Sequence, residues 1–159
     1  MDSKKRVRVM IHILLVIAVM VFIFSHSLAN RAQSSEESMG VLNFLMKILG
    51  TVGLGGGLTE HIVRKMAHFS EFAALGFFAA IVMQDIRIVR IPYVLNVFLF
   101  GILCAMTDET IQLFNDRTAR VTDVWIDFCG SVCGCLMFLL IRWVWNTWRS
   151  RENPHQGKS

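Results

Sequence analysis

Four apolar runs leave this chain few ways to fold. They are Val9 to Phe24, roughly Met66 to Met83, roughly Ile91 to Phe114 and roughly Val124 to Trp145. A helix needs about 20 apolar residues to cross a bilayer. The first run is short, but its flanks can lengthen it. In lipid every backbone N–H and C=O must be paired within its own segment, so runs of this length are helices. The chain is 54% hydrophobic with a mean hydropathy of +0.52, too apolar for an ordinary soluble domain. The expected fold class is therefore all-α: an integral membrane bundle of four transmembrane helices. A single domain over residues 1–159 is expected, with spans near 9–25, 66–83, 91–114 and 124–145 and a tail at 146–159. A basic start followed by an apolar run and Ser27-x-Ala29 also fits a cleavable secretory signal. The run is long for a signal core, and cleavage would leave three spans.

Charge sets the expected orientation. With the N-terminus inside, the inner side holds ten Lys and Arg residues, including Lys4, Lys5, Arg6, Arg8, Arg87, Arg90 and Arg142. The outer side holds six: Arg31, Lys47, Arg64, Lys65, Arg117 and Arg120. That bias predicts a multi-pass cell-membrane protein with both termini cytoplasmic and Trp143, Trp145 and Trp148 at the inner interface. Between the first two spans, residues 25–38 read as a polar loop. The stretch MGVLNFLMKILGTV reads as an amphipathic helix on the outer face, broken by Gly53 and Gly55-Gly56-Gly57. No basic stripe interleaved with aromatics appears, which excludes a nucleic-acid partner. Cys104, Cys129, Cys133 and Cys135 all lie within apolar runs at no zinc-finger spacing, and read as small apolar fillers.

The polar exceptions carry the functional signal. Arg64-Lys65-x-x-His68-x-x-Glu71, Asp108-Glu109-x-x-Gln112 and Asp123-x-x-x-Asp127 each sit at the end of an apolar run. By the predicted topology all three come out on one side. Ionisable groups at membrane depth are costly, and are commonly paired, inward-facing and functional. Arg64, His68 and Glu71 share a helix face, and Glu71 lies about 10 Å below Arg64. Asp108 and Gln112 share another. Asp123 can cap its helix with Thr122, whereas Asp127 has no such local role. His26 is close enough to join the cluster. His12 has no carboxylate nearby and reads as a packing residue, and His61 reads as a loop residue with no special role.

Three chemistries fit these residue types. Arg64, Lys65, Arg117 and Arg120 could hold a phosphate or carboxylate headgroup. His68, Glu71, Asp108, Asp123 and Asp127 suit a divalent metal as cofactor. His68 and Glu71 are the candidates for general acid–base work. No serine or cysteine nucleophile has a convincing base beside it, so no catalytic residue follows from the sequence. The ligand-binding expectation covers Arg64, Lys65, His68, Glu71, Asp108, Glu109, Gln112, Arg117, Asp123 and Asp127.

At these positions the chain resembles the VanZ-like family of small bacterial membrane proteins. The resemblance runs from about Ser25 to Gly134. It rests on Arg64-Lys65-Met66-Ala67-His68-Phe69-Ser70-Glu71-Phe72 with Leu75-Gly76, and on Asp108-Glu109-x-x-Gln112-x-Phe114. Arg117, Asp123-x-x-x-Asp127 and Gly130-x-x-x-Gly134 complete it. Phe24-Ser25-His26 fits as well, with His where Gln or Ser is common. The resemblance implies a bacterial cell-envelope protein, and the family's namesake is associated with low-level resistance to teicoplanin. It implies no established catalytic residue. The leading expectation is a protein that lowers lipoglycopeptide action by binding a lipid-linked cell-wall intermediate, or the drug, at an outer-face charged cavity. The alternatives are a metal-dependent membrane enzyme acting on a lipid headgroup and a proton-coupled lipid or solute transporter. Four helices are few for alternating access, so a transporter would need to form a homo-oligomer.

Overall fold

The computed structural model describes residues 2–29, 31–50, 58–86, 92–115 and 120–152. The glycine break at 53–57, Arg87, Arg90 and Arg117 lie outside the described residues. Among the described residues five helices follow one another: α1 (Ser3–Leu28), α2 (Arg31–Gly50), α3 (Glu60–Ile86), α4 (Pro92–Leu113) and α5 (Val121–Glu152). Four of them, all but α2, are long and apolar enough to cross a membrane. The chain is an all-helical, four-span membrane protein.

Helix ends explain where the observed elements differ from the expected ones. The helix α3 begins at Glu60, not Met66, because Thr59 Oγ1 accepts the Ile62 N–H at 3.3 Å and Glu60 places negative charge in the first turn. His61 is therefore helical, not a loop residue. The polar stretch before Met39 is also helical, since α2 starts at Arg31. The last helix continues through Glu152, so the expected tail from residue 146 is helical for much of its length.

The third helix is the hub of the bundle and touches each of the other four. The pair His12–Asp85 joins the start of α1 to the end of α3. Ser27 and Asp108 join the end of α1 to the end of α4, and Lys65 and Asp123 join the starts of α3 and α5. The spans therefore alternate in direction, and residues 2 and 152 lie at the end opposite the charged cluster. Two apolar clusters fill the interior. One contains Ile23, Phe72, Leu75, Cys104 and Ala105; the other contains Ala79, Ala80, Val97 and Cys135. Cys104 and Cys135 are the fillers the sequence predicts, whereas Cys129 and Cys133 are exposed. Leu95, Leu99 and Leu103 on α4 and Leu136 and Leu140 on α5 are exposed, forming an apolar exterior that a bilayer covers.

Close approach of α3 and α5 depends on glycine. A Cβ on Gly134 would meet the Ala73 carbonyl and lie 2.9 Å from Phe77 N, and one on Gly76 would meet the Ser131 backbone. Backbone approach without side chains is what small residues provide between membrane helices.

A polar contact at the end of the bundle opposite the charged cluster overturns the reading of His12. Its Nδ1 lies 2.7 Å from Asp85 Oδ2, and Arg8 Nη2 lies 3.1 Å from Asp85 Oδ1. His12 is thus one member of a three-residue polar cluster at the end opposite the main site.

Candidate functional site

Helix periodicity builds one wall of the site. From Glu60 onward, α3 presents His61, Arg64, Lys65 and His68 to a cavity of about 160 Å³. The last turns of α4 add Glu109 and Gln112. Arg120 and the first turns of α5 add Asp123, Ile126 and Asp127. A second hollow, lined by Ser35, Glu60, His61 and Arg64, adjoins it and shares His61 and Arg64.

The rim is paired charge. Arg64 binds Glu60 one turn back, and Ser35 Oγ donates to the same Glu60 oxygen at 3.0 Å. Arg64 Nε is buried and has no hydrogen-bond partner among the described residues. Lys65 pairs with Asp123, so Asp123 serves α3 as well as the start of its own helix. The Arg120 backbone N–H donates to Glu109 Oε2 at 3.0 Å.

Beneath the rim the carboxylates are held in different ways. Asp108 is fully buried. Ser27 donates to its Oδ1, and Gln112 Nε2 donates to its Oδ2 at 2.6 Å. His68 Nδ1 stands 3.8 Å from the same Oδ2. Glu71 Oε1 lies 3.1 Å from His26 Nδ1, so α1 supplies a partner to this carboxylate. Asp127 is only 2% exposed, lines the cavity, and has no hydrogen bond or ion pair among the described residues.

The structure therefore brings together Arg64, Lys65, His68, Glu109, Gln112, Asp123 and Asp127 on the lining. Glu71 and Asp108 are not lining residues; they stand behind it, held by His26, Ser27 and Gln112. Of the expected metal ligands, His68, Asp108 and Asp127 each place one donor atom within 4.8 Å of the others. Sequence reading missed His61 and Ser27. Had Thr59 been taken as the cap, His61 would have fallen on the Arg64–His68 face. Ser27 was legible only as a small residue before a cleavage-like Ala29.

Residues 12–142 match the protein family described as VanZ/LLP1. The chain belongs to this family. No curated protein and no solved structure matches it. The VanZ/LLP1 match takes in α2, α3 and α4, most of α1 and most of α5, and every lining residue.

The Ser27 bond gives a direct check on how the site is supported. Removing a hydrogen bond to a buried charged group costs about 1 to 3 kcal/mol. Ser27→Ala is expected to lower the unfolding midpoint in detergent accordingly. Ser25→Ala, at an exposed serine bonded only to the Phe22 carbonyl one turn back, should leave it unchanged.

Proposed function

We propose that this VanZ/LLP1 protein acts in the bacterial cell envelope, with its charged cavity on the outer face and both termini in the cytoplasm. There it holds the phosphate of a lipid-linked envelope component and so lowers lipoglycopeptide action. The observation that carries this reading is Arg64. Its guanidinium spends Nη2 on Glu60, while its buried Nε has no acceptor among the described residues of a cavity it lines. A guanidinium offers five donors in a fixed fork suited to phosphate and carboxylate. Cavity size favours a headgroup over the whole drug. About 160 Å³ is below the roughly 300 to 1,000 Å³ of sites that enclose drug-sized ligands. The association of the family's namesake with low-level teicoplanin resistance supports the link to lipoglycopeptides.

Susceptibility of a teicoplanin-sensitive Gram-positive host tests the reading. The native protein, Arg64→Lys and Arg64→Gln would be expressed at matched membrane levels. The native chain is expected to raise teicoplanin tolerance with little change towards vancomycin. Arg64→Lys should keep part of the effect, because charge survives without the fork, and Arg64→Gln should lose it. No protection from the native chain would remove the resistance role.

A further inference from the structure

Glu71, Asp108, Glu109, Asp123 and Asp127 gather at the cavity end of the bundle. Lys65 is already paired with Asp123, and Arg64 with Glu60. Asp127 is buried with no partner among the described residues. An isolated carboxylate taken out of water is strongly disfavoured unless it is paired, coordinates a metal or gives up its charge.

We propose that His68, Asp108 and Asp127 bind a divalent cation of the Zn²⁺ or Mn²⁺ class at the cavity floor. The three donor atoms lie within 4.8 Å of one another. Tetrahedral ligands about 2.1 Å from a shared metal stand about 3.4 Å apart, so the widest pair needs to contract by no more than about 1.4 Å. One imidazole with two carboxylates is a borderline-to-hard donor set, which suits these ions. Asp108 is already oriented for the role. Ser27 and Gln112 donate to its two oxygens, and a carboxylate has about four lone-pair sites. Such outer hydrogen bonds fix a ligand's direction and raise metal affinity. Asp127 and His68 both line the cavity, so a metal there has an open side facing the rim, where a phosphate oxygen can reach it. The inference goes beyond the anion-site reading and stands on its own geometry: metal retention without lipid tests the floor, and the Arg64 variants test the rim.

The test is metal retention by the full chain in detergent, freed of any purification tag and stripped with chelator. It is then dialysed against Zn²⁺ or Mn²⁺, and bound metal is counted by elemental analysis. The zinc arm carries Cys129→Ser and Cys133→Ser, because both thiols are exposed and could hold zinc themselves. The expected result is one ion per chain, with affinity at least tenfold weaker in Asp127→Asn and in His68→Gln. Asp85→Asn, at the opposite end of the bundle, should bind as the native chain does. Failure of the native chain to retain either ion would overturn the proposal. So would equal retention by both floor variants. The count on the native chain stands even if a variant folds poorly.

Discussion

Gly134→Leu is expected to abolish the folded, monodisperse protein in detergent, and Gly134→Ala to destabilise it by about 3 kcal/mol. The cause is the α3–α5 contact. A Cβ at Gly134 would collide with the Ala73 carbonyl and lie 2.9 Å from Phe77 N, and both are backbone atoms of a helix that cannot move without disturbing its own ladder. Overpacking a close-fitted interior costs about 1 to 3 kcal/mol, and occasionally more. Here the collision falls on α3, which carries the site's Arg64, Lys65 and His68. Gly40 is the internal control. A Cβ there would meet nothing within 4 Å, so Gly40→Ala should be neutral or gain up to about 1 kcal/mol from helix propensity. Denaturant titration of helicity reads both. Equal effects at the two glycines would contradict the packing described.

Asp127→Asn is expected to change stability in opposite senses with and without metal. In chelator the native chain buries a carboxylate that has no partner among the described residues. The isosteric amide removes that charge and should be the more stable of the two, because an unpaired buried carboxylate costs more than an unpaired buried amide. With metal present, the native chain is stabilised by binding, by about 2.7 kcal/mol at a hundredfold excess over Kd. The variant lacks a ligand and should show little of this, so the order of the two unfolding midpoints reverses. A functional group kept at a cost to stability gives this pattern. Loss of stability in chelator would instead mean that Asp127 holds the bundle together through a contact.

The four spans were legible because lipid permits so little: a long apolar run must be a helix, and its length is set by the bilayer. Boundaries were less legible, because they depend on caps. Thr59 and Glu60 extend α3 towards its N-terminus past the apolar run that announces it, and that extension carries His61 into the site. The cluster residues stood out because charge at the end of an apolar run is expensive. The same rule applied at Asp85 would have found the partner of His12, which the sequence alone left as a packing residue. Pairings between helices were not legible. Helix spacing placed Glu71 on the face of Arg64 and His68, but did not show that His26 of α1 reaches it, at 3.1 Å. Likewise Ser27 has no local feature that points to Asp108, since the two are 81 residues apart in the chain. Such contacts are set by how the helices pack, and a single sequence states that only indirectly.

The most direct test of the central claim is native mass spectrometry of the purified protein with a polyprenyl phosphate and with the matching neutral polyprenol. The native chain is expected to retain the phosphate and release the alcohol. Arg64→Gln should weaken retention of the phosphate by about thirtyfold, the equivalent of one charge-assisted hydrogen-bonding partner worth about 2 kcal/mol. Equal retention of the two lipids by the native chain, or phosphate binding untouched by Arg64→Gln, would contradict an anion site at this cavity.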